Sequence, residues 1–372
     1  MIWLCLTWLA APLLWLRLAF RHRHPIGRVL VIQTAKIGDF VATTPVFTLL
    51  RERLPTVEIV ALLHPVNVPL ARQLSTIDRI VTLPPGGVKG WPGKRWLIQQ
   101  LIADVDAVVI LSPNLINVLL PFWAGIQHRI AVQGDRRQGS IRLAWPFLTY
   151  GEAHRPGRLF RETALRALAG LDIDVDSAAL AIRPGIAASA AGWGAATEWV
   201  ASVSPPRVGF GLGAGNRMKA LDPGQTLELA RKILARTSAT LILIGTTADQ
   251  PIAEVLCATL PPGRVIDTTG QWTLEALPAL LATLDCFVGV DSGATYMADA
   301  LGVPVVDFMG PADASDQRPT GSRAIVIVSD EPCAPCSHAF DAPYTCRLGT
   351  RACVIHAPLL RMVEAVVSHL KS

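Results

Sequence analysis

Three short stretches carry residue types suited to handling charged, phosphorylated substrates. In Lys36-Ile37-Gly38-Asp39 an ammonium and a carboxylate follow the apolar run Arg28–Gln33. Ligands of open parallel sheets bind outside the carboxyl ends of the strands. Asp39 is therefore placed for general-base work, with Lys36 and Gly38 beside it as acceptor contacts. The same position also suits a plain helix N-cap. The second stretch, Gly211–Lys219 (GLGAGNRMK), follows another buried-strand pattern. Its Gly213, Gly215 and Asn216 allow close backbone approach, and Lys219 offers a point charge for phosphate. It matches neither a Walker A loop nor a G-x-G-x-x-G fingerprint, and an ordinary strand-to-helix turn accounts for it equally. The third is Asp291-Ser292-Gly293-Ala294, between the apolar run Cys286–Val290 and a helical segment Ala294–Leu301. A Ser-Gly turn opening a helix there offers free N–H groups to an anion. Asp291 acting only as a cap is the alternative.

The seven cysteines divide into two groups. Cys5, Cys257 and Cys286 sit in apolar runs and read as plain core or membrane residues. Cys333-x-x-Cys336, Cys346 and Cys353 lie together and could ligate a structural Zn²⁺, stay as free thiols or form disulfides. His64 follows a strand and reads as structural. Arg136-Arg137 suits either an anionic acceptor or a solvated loop, and Asp313 and Asp316 receive no role.

These residues need a frame, and the chain supplies one twice. Arg28–Gln33, Val57–Leu63, Arg79–Leu83, Asp106–Leu111 and Arg129–Val132 read as strands, with a helix from about Asp39 to Leu54 after the first. Arg183–Pro206, rich in Ala and Gly, reads as a linker with a short helix. The pattern then restarts with strands at Arg207–Leu212, Thr240–Ile244, Val265–Asp267, Cys286–Val290, a short run ending at Gly310-Pro311, and Arg323–Val328. Helices are expected near Pro223–Thr237, Ile252–Leu260, Leu274–Leu284 and His356–Leu370. Strands alternating with helices imply parallel α/β domains. The expected division is 1–24, 25–183, 184–206 (linker), 207–355 and 356–372.

With 372 residues the chain suffices for two domains, and 51% hydrophobic against 17% charged residues excludes a disordered chain. A formal charge of +5 without basic runs interleaved with aromatics makes nucleic acid a poor partner. Met1–Leu16 has no charged side chain and contains Trp3, Trp8 and Trp15; Arg17, Arg21, His22, Arg23 and His24 follow. Such a run is near the minimum for a bilayer span, and basic residues on its C-terminal side leave the body cytoplasmic. Residues 1–24 are expected to associate with a membrane, either spanning it or lying in the interface. A buried N-terminal helix is the other reading.

Beyond these physical readings, RVLVIQTAKIGDFVATTPVFTLLRERLP resembles the opening of glycosyltransferase family 9, the lipopolysaccharide heptosyltransferase family. DCFVGVDSGATYMADALGVPVVDFMGP resembles that family's D-(S/T)-G-x-x-H-x-A-x-A-L-G-x-P signature, and GLGAGNRMKALDPGQTLELARKI its middle segment. The resemblance implies a GT-B fold: two Rossmann-like domains facing each other across a cleft, here with an added N-terminal apolar helix. It implies inverting transfer of a sugar, usually heptose from ADP-heptose, onto a lipopolysaccharide-core or related envelope glycolipid at the cytoplasmic face of the inner membrane. The family's base falls on Asp39, its phosphate-binding Lys on Lys219, and its nucleotide-sugar contacts on Asp291, Ser292 and Gly293. No cofactor or bound metal is implied, because helix N-termini and a Lys offset the leaving diphosphate's charge. Three departures stand out. Tyr296 replaces the signature His, Leu221 stands where the K-x-W-P element has Trp, and Gly245-Thr246 replaces a Gly-Gly. These leave open another nucleotide-sugar, an epimerase of the same architecture, or a catalytically silent sugar-nucleotide or glycan-binding protein.

Overall fold

The computed structural model describes residues 2–20, 25–84, 87–88, 90–102, 105–136 and 139–371. Arg21, His22, Arg23, His24 and Arg137 lie outside the described residues. The chain divides into two compact units, Met1–Ile182 and Arg183–Ser372.

The first unit is built on a six-stranded parallel sheet. Its strands are β1 (Arg28–Gln33), β2 (Glu58–Leu63), β3 (Arg79–Thr82), β4 (Ala107–Ile110), β5 (His128–Gln133) and β6 (Tyr150–Ala153), in the order β3-β2-β1-β4-β5-β6. The central strands are continuous runs of Val, Ile, Leu and Ala, as burial on both faces of a parallel sheet requires. β6 is the exception, a half-exposed edge strand of sequence YGEA with no apolar run to announce it. Two helices matter most for function. α1 (Ile2–Ala19) packs on the outside of the unit, and α2 (Ile37–Arg53) follows β1 directly and buries Phe40, Val46, Phe47, Leu49 and Leu50.

The second unit repeats the plan. β7 (Arg207–Gly211), β8 (Thr240–Ile244), β9 (Val265–Asp267), β10 (Cys286–Val290), β11 (Val305–Met309) and β12 (Ala324–Val328) form a parallel sheet ordered β12-β11-β10-β7-β8-β9. One face of this sheet, carrying Val208, Phe210, Val288, Val290, Val306 and Phe308, joins a core with the Pro223–Arg236 and Leu359–Lys371 helices. The other face carries Gly289 and Asp307, which are ladder partners. Two helices begin later than the periodicity suggests. Leu277–Ala282 starts after a turn at Thr273–Ala276, and the terminal helix starts at Leu359, directly after Pro358.

Candidate active site

In the first unit, the site residues sit where β1 ends. The backbone turns through Thr34–Lys36 into α2, with Lys36 as the extended N-cap residue and Asp39 in the first helical turn. Sequence-distant groups fix this turn. Ser112, just beyond β4, accepts the Thr34 N–H through its hydroxyl at 3.0 Å and donates to Gln33 Oε1. Gln33 is fully buried; its Oε1 accepts the Ala35 N–H at 3.2 Å and its Nε2 donates to Thr43 Oγ1 at 2.9 Å. Asn67 Nδ2 donates to the Ala35 carbonyl at 2.9 Å. Groups from or just beyond β1, β2 and β4 therefore hold the backbone that presents Asp39, a half-buried carboxylate at the carboxyl edge of the sheet. His64 is spent on structure, since its Nδ1 accepts the Val66 N–H at 3.2 Å as a turn cap. Arg136 is exposed and pairs with Asp135 at 3.5 Å.

In the second unit, Lys219 and Asp291 come together. Lys219 closes the short 3₁₀ turn Arg217–Lys219 after β7, and its ammonium is hydrogen-bonded and ion-paired to Asp291 Oδ2. Both side chains are largely shielded from solvent. Asp291 is thus engaged with a cation and does not cap the following helix. That helix, Gly293–Ala300, has Ser292 at its N-cap position without a side-chain cap; the Ser292 hydroxyl instead meets Thr295 Oγ1 at 3.1 Å. First-turn N–H groups have no acceptor within a helix. The Gly293 and Ala294 amides open this helix at the carboxyl end of β10, two and three residues after the Asp291 that holds Lys219. Tyr296, one turn on, is buried.

The remaining loop residues play supporting parts. A Cβ on Gly213 would lie 2.7 Å from Asp249 Oδ1, and one on Gly245 would lie 2.9 Å from Asp249 Cβ. These glycines make room for Asp249, whose Oδ2 accepts Thr246 N–H and hydroxyl at 2.8 and 2.9 Å and whose Oδ1 accepts from Arg217 at 2.9 Å. Gly215 is exposed in the same loop. Asn216 caps the 3₁₀ turn by accepting the Met218 N–H at 3.2 Å, and donates through Nδ2 to the Pro343 carbonyl at 2.8 Å.

The sequence reading missed two features. Arg351, from the cysteine-rich segment, pairs with Asp222 at 2.6 Å and donates to the Ala220 carbonyl, bracing the backbone just after Lys219. Asp307, on β11, is fully buried, and among the described residues neither of its carboxylate oxygens has a hydrogen-bond partner. Burial pushes its pKa well above the usual carboxylate range, and the neighbouring Asp291 charge adds to the rise; Lys219 acts against it. A lone acidic residue inside the run Val305–Met309 is the signal that could have found it.

The four C-terminal thiols are gathered but reduced. Burial, then the nearby Cys333, Cys336 and Cys346, push the Cys353 thiol up to about 11. Among the described residues, the one group of three potential metal ligands within 4.8 Å of one another is Asp313, Asp316 and His338. Hydrogen bonds account for it. His338 Nδ1 lies 3.0 Å from Asp313 and 3.4 Å from Asp316, and Ser315 and Ala339 N–H groups donate to the same carboxylates.

With this geometry in place, comparison with known proteins is decisive. The model of glycosyltransferase family 9 (heptosyltransferase) matches residues 94–344. The chain belongs to glycosyltransferase family 9. The lipopolysaccharide heptosyltransferase 2 of Salmonella typhimurium is 22% identical over 313 residues, covering 81% of this chain and 87% of that protein. Among solved structures, the family 9 glycosyl transferase of Veillonella parvula superposes with a TM-score of 0.74 at 19% identity, covering 94% of this chain and 99% of that one. The E. coli ADP-heptose lipopolysaccharide heptosyltransferase II gives 0.68 at 19% identity, with 92% and 98% coverage. These likenesses show a GT-B-like fold. The matched residues 94–344 include Lys219, Asp291 and the Ser292–Ala294 turn, and Asp39 lies before them.

Proposed function

We propose that this family 9 enzyme is an inverting heptosyltransferase that moves heptose from ADP-heptose onto a lipopolysaccharide-core or related envelope glycolipid. The observation that carries the reading is the pairing of Lys219 with Asp291 beside the uncapped start of the Gly293–Ala300 helix. A nucleotide diphosphate needs a cation and convergent N–H donors, and this locus offers both. The 22% identity to a lipopolysaccharide heptosyltransferase over most of both chains supports the choice of sugar and acceptor class.

In the proposed reaction, the second unit holds the donor diphosphate at Lys219, Ser292, Gly293 and Ala294. The first unit binds the acceptor near Lys36 and Gly38. Asp39 takes the proton from the acceptor hydroxyl as its oxygen attacks the anomeric carbon. The new C–O bond forms on the face opposite the leaving group, the bond to the diphosphate breaks, and ADP departs with the electron pair. Lys219 and the helix amides stabilise the negative charge that grows on the leaving diphosphate. No step is assigned to a metal ion, so transfer should persist in excess chelator. Because the acceptor is lipid-linked, the proposed place of action is the cytoplasmic face of the inner membrane.

Transfer of another sugar is the second reading, favoured by Tyr296 in place of the signature His. Thermal-shift titration with ADP-, UDP-, GDP- and dTDP-sugars separates the two. A response confined to ADP-sugars supports heptosyl transfer, and a response to another nucleotide overturns it.

A further inference from the structure

α1 is apolar apart from Thr7 and Arg17, yet only one side of it is covered. Leu4, Thr7 and Ala11 face the first unit and are buried. The docking is specific. Trp123 Nε1 donates to Thr7 Oγ1 at 2.8 Å, and Trp8 Nε1 donates to the Leu143 carbonyl at 3.1 Å. Trp3 stacks on Trp91 with centroids 5.6 Å apart, and Trp15 packs against Phe122 and Phe147.

The opposite side carries Ile2, Leu6, Leu9, Leu13, Leu16 and Phe20, of which Ile2, Leu9, Leu13 and Phe20 are 73–80% exposed. At 100° per residue these six side chains fall within about 80° of arc, forming a continuous stripe. An apolar stripe of this length on a water-facing surface signals a binding face.

The charge around the stripe identifies its occupant. α1 rests on the Gly90–Ile102 helix, the Leu115–Trp123 helix and the 3₁₀ segment Gly139–Phe147. Together these four elements contain Arg17, Lys94, Arg95 and Arg142 and no Asp or Glu. The whole chain is nearly balanced, with 34 basic and 29 acidic residues, so this surface has one sign where the rest does not. The sequence adds Arg21 and Arg23 directly after the helix. An apolar stripe rimmed by basic residues, with Trp8, Trp15 and Trp91 exposed beside it, matches an anionic lipid surface.

We propose that α1 is a monotopic membrane-insertion face, lying in the plane of an anionic bilayer with its stripe sunk among the acyl chains and its docked side held by the first unit. It does not span the bilayer. Spanning would strip Leu4, Thr7 and Ala11 from their packing and break both tryptophan hydrogen bonds. Eighteen residues also reach only about 27 Å against a hydrocarbon core of about 30 Å. The inference takes from the proposed function only that the acceptor is lipid-linked, and vesicle binding without substrates tests it apart from transfer.

The test uses the full chain in flotation with vesicles of phosphatidylcholine alone and of phosphatidylcholine with phosphatidylglycerol in a roughly 3:1 mixture. Binding should favour the anionic vesicles about tenfold or more. The double variant Leu9→Glu/Leu13→Glu should lose roughly a hundredfold in partitioning while keeping the wild-type unfolding temperature, because both side chains lie outside the core. A tag fused at the N-terminus should be digested by protease added outside vesicles that carry the protein. Protection of that tag would show a span and overturn the proposal. So would undiminished vesicle binding by the double variant, or a vesicle-independent dimer that the double variant dissociates.

Discussion

Lys219 and Asp291, 72 residues apart in sequence, form a shielded ion pair at the carboxyl end of β10. The pair unites two motifs that are separate in the chain and holds the ammonium on the residue two places before the Gly293–Ala300 helix. In the proposed function, a donor diphosphate would give the ammonium a second acceptor beside Asp291.

Replacing Lys219 by Ala removes a charge-assisted contact of about 1.5–3 kcal/mol. The donor KM should therefore rise roughly 10- to 100-fold. Steady-state kinetics with varied donor concentration check this, and an unchanged KM would remove Lys219 from the phosphate site.

Asp39→Ala should leave donor binding intact and cut kcat by about 10²- to 10⁴-fold, the range for loss of a general base. Donor titration by calorimetry beside turnover measurements separates the two effects. The Gln33, Ser112 and Asn67 contacts hold the turn that presents Asp39, so the substitution should leave the fold undisturbed.

Asp307 gives a pH signature. Its folded pKa is raised, so between the unfolded carboxylate value of about 3.9 and the raised folded value, the folded state holds a proton that the unfolded state has lost. Stability contributed by this group is therefore greatest at acid pH and declines as pH rises through that window. Asp307→Asn removes the decline, and its unfolding temperature should gain on the wild type as pH rises above the unfolded carboxylate value of about 3.9. Parallel melting curves that keep a constant offset would contradict this.

Much of the scaffold is legible in the sequence because continuous Val, Ile and Leu runs mark strands buried on both faces. β6 escapes because an edge strand with half-exposed polar residues carries no such run. Asp39, Lys219 and Asp291 are visible from their positions at strand ends, whereas their partners are not. Neither the contact of Asn216 with Pro343 nor that of Arg351 with Ala220 leaves a local pattern, since each joins segments more than 120 residues apart. Residues 292–294 read equally as a capped helix start. Only the structure shows Asp291 turned to Lys219 and the helix without a side-chain cap.

Arg351 reaches the Lys219 loop from the cysteine-rich segment through Asp222 and the Ala220 carbonyl. It touches no proposed substrate group, so Arg351→Ala should act by loosening the loop. A several-fold rise in donor KM with kcat nearly unchanged is expected, and Arg351→Lys should restore part of it by keeping the Asp222 pair. Equal losses in kcat and kcat/KM would instead mark a role in the transition state.

The most direct measurement is transfer itself. Purified full-length protein is incubated with ADP-heptose and a truncated lipopolysaccharide-core acceptor, with ADP release and acceptor mass followed together, for the wild type and Asp39→Ala. One heptose added per ADP released by the wild type, with both products formed about 10²- to 10⁴-fold more slowly by Asp39→Ala, is the predicted result. No heptosylated acceptor from the wild type, with ready transfer from a different nucleotide-sugar, would contradict it.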